Sequence, residues 1–146
     1  MNPNIYFQDI ELGDEIGPIE RVVTDEEVLK FVAVGDRNPK PSRFTSREIA
    51  QSEGLPEAII PGAMNIALMS QLVTGWAETV CLKKIDVVFR QTVPHNKPLI
   101  FAGIVTNKDE SGETTDLECD ITMENNDGVK MVIGNAEFAL PNKPGM

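Results

Sequence analysis

The sequence predicts an α+β fold in one domain, a curved antiparallel sheet wrapped around a long central helix. Three observations predict it. A helical apolar pattern runs from about Ala63 to Ala77 and carries apolar residues on more than one side, as a helix covered all round would. From Ile85 onward the hydrophobic period changes from helical to two and stays there for the rest of the chain. The length, 146 residues, suits a single domain spanning 1–146 with its core at about 7–141, long enough to bury roughly 70% of the unfolded surface.

The elements follow in order. Phe7 to Glu15, with a turn at Gly13-Asp14, reads as a small strand and loop. Thr24-Asp25-Glu26-Glu27 is a capping box, so a helix starts at Asp25 with Val28, Leu29, Phe31 and Val32 on its apolar face. Gly35 is placed to end it in the left-handed conformation. Asp36-Arg37-Asn38-Pro39-Lys40-Pro41-Ser42-Arg43 is a loop, because each proline disfavours helix at the residue before it. Ser46 to Glu53 forms a short helix closed by Gly54 and Pro56. The long helix carries Met64, Ala67, Leu68, Leu72, Val73 and Trp76 as its stripe, with Ile66 and Met69 off it. Its fifteen residues make a rod of roughly 22 Å.

Ile85, Val87 and Phe89 then alternate with Asp86, Val88 and Arg90 in a strand that ends at the loop Pro94-His95-Asn96-Lys97-Pro98. Leu99 to Thr106 is the next strand, and Asp109 to Gly112 the next turn. Thr115, Leu117, Cys119, Ile121 and Met123 alternate with Asp116, Glu118, Asp120, Thr122 and Glu124, which gives a strand with one buried and one wet face. Asn125 to Gly128 offers a hairpin turn, Val129 to Leu140 returns antiparallel, and Pro141 to Met146 reads as a frayed tail.

Composition narrows the function classes. Thirteen Lys and Arg against 23 Asp and Glu give a net charge of −10, so nucleic acid and anionic membrane surfaces repel the chain as a whole. No window approaches a membrane span, and Met1 to Tyr6 lacks the basic and apolar regions of a secretory signal, so a cytoplasmic protein is expected. Cys81 and Cys119 are far apart within apolar patterns and read as reduced core thiols. With one histidine, His95, and two separated cysteines, no metal site and no cofactor is expected. His95 itself reads as a solvated loop residue.

A sheet wrapped around a helix in this order is the hot-dog arrangement, whose closed shape comes from pairing two such sheets, so a dimer or larger assembly is expected. Phe7-Gln8-Asp9 with Gly13-Asp14, Gly35-Asp36-Arg37-Asn38-Pro39, Gly54-Leu55-Pro56, Ile60-Pro61-Gly62-Ala63-Met64, and Phe89-Arg90 before Val93-Pro94 stand in order along the chain. Together, from about Phe7 to Pro141, they resemble the MaoC-like acyl dehydratases, or (R)-specific enoyl-thioester hydratases. The resemblance implies a hot-dog fold and chemistry on acyl thioesters in lipid metabolism. The family's hydratase motif, Asp-x-Asn-Pro-x-His, matches at Asp36, Asn38 and Pro39, but its histidine position is Pro41. The family's His-Gly ahead of the central helix is here Pro61-Gly62. By the same resemblance the Gly62 amide would hold the thioester oxygen as charge develops on it, and Ser70, eight residues later, would hydrogen-bond the catalytic Asp.

Hydration of a conjugated thioester needs a base for the water proton and an acid for the alpha carbon, each typically worth 10²–10⁴ in rate. Proline has no titratable group. Asp36 alone is a candidate base, although Asp and Asn before Pro also simply make turns, which is the competing reading for both Asp36 and Asn38. A mid-helix serine such as Ser70 usually bonds its own backbone. Met64, Arg90 and Lys97 are candidate substrate contacts: Met64 equally suits the core, and Lys83, Lys84, Arg90 and Lys97 form either a basic rim for coenzyme A phosphates or a solvated strand face.

The expectation is therefore a MaoC-like chain acting as a degenerate subunit that shapes the acyl-thioester site of a heteromeric enoyl-CoA hydratase, bound to acyl-CoA or an acyl-carrier thioester. Two alternatives stand beside it. One is a self-sufficient hot-dog enzyme using Asp36 for hydration, dehydration or thioester hydrolysis. The other is a non-catalytic acyl-ligand binding protein.

Overall fold

The computed structural model describes residues 5–145. Its five strands are β1 (Glu15–Val22), β2 (Cys81–Phe89), β3 (Pro98–Lys108), β4 (Asp116–Glu124) and β5 (Lys130–Ala139), and its helices are α1 (Asp25–Gly35), α2 (Arg47–Ser52) and α3 (Gly62–Thr74). The strands form one sheet in the order β1-β3-β4-β5-β2, with every neighbouring pair antiparallel. α3 lies against β1, β2, β3 and β4, which makes it the central helix of a hot-dog fold.

The sheet is built by the predicted alternation. On β4, Leu117, Cys119, Ile121 and Met123 are buried, and they meet Phe138, Ala136 and Val132 of β5 across the register. α3 turns Met64, Leu68, Met69, Leu72 and Val73 into the same core. Phe138 is fully buried there, and the half-buried Trp76 packs edge-on against it with ring centroids 6.0 Å apart.

Helix starts are set by their caps. Thr24 Oγ1 accepts the Glu27 amide at 3.2 Å, while the Glu27 carboxylate turns away from the box to pair with Arg21 at 3.0 Å. Ser46 Oγ caps α2 by accepting the Ile49 amide at 3.2 Å.

Several boundaries differ from the sequence expectation. Phe7–Asp9 is a short 3-10 turn, and the first strand lies later, at Glu15–Val22. That strand shows no alternation because Ile16 alone among its residues is buried, and its register against β3 shifts between Ile16 and Ile19. Gly35 is the last residue of α1 and not a left-handed cap; the chain leaves through Asp36 in an extended conformation. α3 starts at Gly62 and ends at Thr74, where the Gly75 amide bonds Gln71 O at 2.8 Å. The expected strand over Ile85 to Val93 is shifted to Cys81–Phe89.

Two expectations about exposure are also corrected. Cys119 is buried as expected, but Cys81 is exposed, since it opens an edge strand. The tail is held rather than frayed as far as Lys143: Phe7 donates its amide to Pro141 O at 2.9 Å, and Lys143 meets Asp9 at 2.6 Å. Met146 lies outside the described residues.

Candidate active site

Two segments carry the residues that the sequence singles out. The first is the loop that leaves α1. Asp36 is exposed there, and its Oδ1 accepts the Asn38 amide at 3.0 Å, an Asx turn that the following Pro39 favours. Arg37, Asn38 and Pro39 line an open depression of about 510 Å³ with Leu29, Lys30 and Ala33. Pro41, at the position of the family's histidine, is exposed on the same loop.

The second segment is the start of α3. Pro61, buried, precedes the first helical residue, Gly62. The amides of a helix's first turn have no intrahelical acceptor and sit at the positive end of its dipole, so Gly62 offers an N–H to a ligand oxygen. Beside it lies a ring: a Cβ built on Gly62 would stand 3.4 Å from Phe89 Cζ. Phe89, the last residue of β2, is 47% exposed, so this aromatic group roofs the helix start while remaining open to solvent. Met64 is buried in the core.

The remaining candidates are dispersed. Ser70 Oγ donates to Ala67 O of its own helix at 2.7 Å, and no hydrogen bond joins it to Asp36 among the described residues. Arg90 is exposed and holds Met131 O through its backbone amide at 2.8 Å. Lys97 lines a cleft of about 580 Å³ together with Arg47, Glu57, Gln91 and Asn126, and its ammonium stands 3.8 Å from Glu57. Lys83 pairs with Asp116 at 2.5 Å and Lys84 with Asp86 at 3.4 Å, so three of the four cations of the supposed rim face a carboxylate. The structure thus gathers Gly62 with Phe89, and Asp36 with Asn38. Met64 is buried in the core, whereas Arg90 and Lys97 are exposed.

The structure also corrects the reading of one residue, His95, and presents another, Asn65, that sequence reasoning passed over. His95 is not solvated but 5% exposed, because both its ring nitrogens are bound: Nδ1 is 2.8 Å from Asp25 Oδ1 and Nε2 is 3.0 Å from Ile59 O. The partners lie 70 and 36 residues away along the chain, and no local pattern signals them. The His95 bond, then that from Asn96, holds the Asp25 carboxyl below the usual carboxylate range. Asn65, within the first turn and a half of α3, is 3% exposed, and its Oδ1 meets no hydrogen-bond partner among the described residues. Its place among Met64, Ile66, Ala67 and Leu68 in the first half of α3 was the available signal. Among the described residues no group of three or more His, Cys, Asp or Glu side chains could hold a metal ion, and no helix is long and apolar enough to cross a membrane.

The fold defines the class: a hot-dog fold of the kind shared by MaoC-like dehydratases and (R)-hydratases. The (R)-hydratase PhaJ1 from Pseudomonas aeruginosa, in its unliganded form, matches with a TM-score of 0.82 at 22% identity, over 96% of this chain and 88% of that one. The MaoC-like dehydratase from Rhodospirillum rubrum matches with a TM-score of 0.80 at 14% identity, over 97% and 99%. The ChsH1-ChsH2 complex from Mycobacterium tuberculosis supplies a chain with a TM-score of 0.75 at 15% identity, over 89% and 98%. At these identities the likeness establishes the fold. No family model and no curated protein matches the sequence.

Proposed function

We propose that this chain, as a single domain over residues 1–146, is a subunit of an acyl-thioester hydratase or dehydratase that holds the thioester carbonyl at the Gly62 amide and relies on a partner for acid chemistry. The observation that carries this reading is the pairing of a helix-start amide at Gly62, which donates no hydrogen bond among the described residues, with a proline at position 41. As water adds to the third carbon of a 2-enoyl thioester, negative charge moves to the thioester oxygen, and an N–H aimed at that oxygen stabilises it. A proton must then reach the second carbon. This chain has no titratable side chain at position 41 to deliver it, and its one histidine is tied up at Asp25 and Ile59.

A second hot-dog subunit carrying the Asp and His would complete the chemistry. Support for such a partner comes from β2, an edge strand with Val88 55% and Phe89 47% exposed, since an open apolar edge invites another strand. One fold neighbour is itself a complex of two differently named chains, ChsH1 and ChsH2.

The test is a hydration assay on the purified chain with crotonyl-CoA and a long or branched 2-enoyl-CoA, following loss of the enoyl absorbance, alongside acyl-CoA binding. The expected result is binding without turnover, with turnover appearing when a catalytic homologue from the same host is added. Turnover by the chain alone, abolished in Asp36→Asn, would replace this reading with the self-sufficient enzyme. Absence of acyl-CoA binding would defeat both.

A further inference from the structure

His95 joins three separate parts of the chain. Its Nδ1 faces Asp25, the first residue of α1, at 2.8 Å, and its Nε2 faces Ile59 O at 3.0 Å, three residues before Gly62. The strap around it is continuous. Ile59 forms an antiparallel bridge with Pro94, and Ile60 donates its amide to Val93 O at 2.7 Å. Asn96, in the left-handed region at φ 61°, donates its amide to Val23 O at 2.7 Å and its side-chain Nδ2 to Asp25 Oδ1 at 2.9 Å.

A backbone carbonyl only accepts hydrogen bonds, and so does an ionised carboxylate, so the ring must donate both of these bonds and needs a proton on each nitrogen to do so. The charged groups facing it are few. Asp25 comes from α1, while Arg47 of α2 and Glu57 of the following loop line a recess of about 390 Å³ with His95. Removal of one ring proton would set a lone pair against one of the two oxygens, and the bond to the neutral Ile59 carbonyl is the weaker of the pair.

We propose that His95 is a positioning residue for the Gly62 site: its doubly protonated ring clamps the segment entering α3 to the start of α1, the helix whose far end carries Asp36. Only the importance of Gly62 is borrowed from the function proposed above. The clamp acts through Ile59, Ile60 and Pro61, and the ring itself touches no reacting atom.

Because His95 is the single histidine, its ring nitrogens can be followed without ambiguity in the full-length, ¹⁵N-labelled chain. The experiment records the ring ¹⁵N shifts and the backbone amides of Ile60 and Gly62 through a pH titration, in the wild type and in Asp25→Asn. That substitution alters a side chain that is 77% exposed, so the fold is expected to survive it. The expected result is that the Gly62 amide moves with the same midpoint as the ring, and that Asp25→Asn displaces both midpoints together. A Gly62 amide that stays still while the ring titrates would overturn the proposal, as would midpoints that separate in Asp25→Asn. Crotonyl-CoA binding is measured in parallel. Affinity falling about fivefold across the ring transition, the loss of roughly one well-placed hydrogen bond, supports positioning, and affinity independent of it refutes positioning. If crotonyl-CoA does not bind at any pH, the acyl-thioester reading fails, while the amide titration still decides whether the clamp exists.

Discussion

Asn65→Leu should make this protein more stable, although it removes the amide of a buried residue. Asn65 Oδ1 is buried without a partner, and such a group costs about 1–3 kcal/mol relative to a hydrated one. Leucine has the same branching and the better helix propensity, worth about 0.4 kcal/mol more in α3. The sum is a gain of about 2 kcal/mol. For a chain of 146 residues each kcal/mol moves the melting temperature by about 3 °C, so Tm should rise by about 6 °C in a calorimetric or fluorescence melt. Exchanging the two atoms of the amide leaves a donor unmet in place of an acceptor, so the sign does not depend on their assignment. Asn65→Asp sharpens the test, because an unpaired buried carboxylate should lower Tm steeply. Asn65→Ala controls for crowding, since it trades the polar penalty against a small cavity and should leave Tm nearly unchanged. If leucine and alanine both lower Tm by several degrees, Asn65 is satisfied in solution and the reasoning is refuted.

Gly62→Ala should leave Tm within about 2 °C of wild type, because helical φ suits alanine and the new methyl meets Phe89 at an ordinary 3.4 Å, yet weaken acyl-CoA binding severalfold by filling the space over the amide; unchanged affinity by titration calorimetry would remove Gly62 from the site. Asp109 is held down to about 2 from 3.8, chiefly by the Ser111 hydroxyl and then by Thr114. A depressed folded-state value stabilises above the unfolded one, so this contribution is complete above pH 4 and lost between about 4 and 2; Asp109→Asn should flatten that part of a Tm-against-pH curve. Burial pushes the Cys119 thiol up to about 12, whereas Cys81 is exposed, so a thiol reagent at pH 8 should label one cysteine quickly and the second only on unfolding, as mass spectrometry would report.

What could be read in advance was whatever a single segment encodes by itself. The alternation of β4, the caps at Thr24 and Ser46, and the helix after Pro61 are local patterns, and each appears in the structure within a few residues of its expected place. β1 escaped because Gly17-Pro18 interrupts it and only Ile16 points into the core. Cys81 was misplaced because an apolar pattern does not say whether its strand is central or at an edge. The site shows the same division. Asp36, Asn38 and Gly62 stand in motifs and were legible, while His95 and Asn65 owe their burial to partners and packing far away in sequence.

The sheet order has a consequence for how the chain can be made. Among the described residues β1 pairs only with β3 and β2 only with β5, so each edge strand finds its strand partner in a segment synthesised after it. Of the four strands that α3 lies against, β1 alone precedes it in the chain. The local nucleus is the β3-β4-β5 meander, whose pairings close short loops, and the first half of the chain must wait for it. On a ribosome this protein should therefore gain no lasting structure until its last third has emerged, and an arrest-peptide force profile should show a single late transition. A peak before β3 leaves the exit tunnel would show that the helices fold without their sheet.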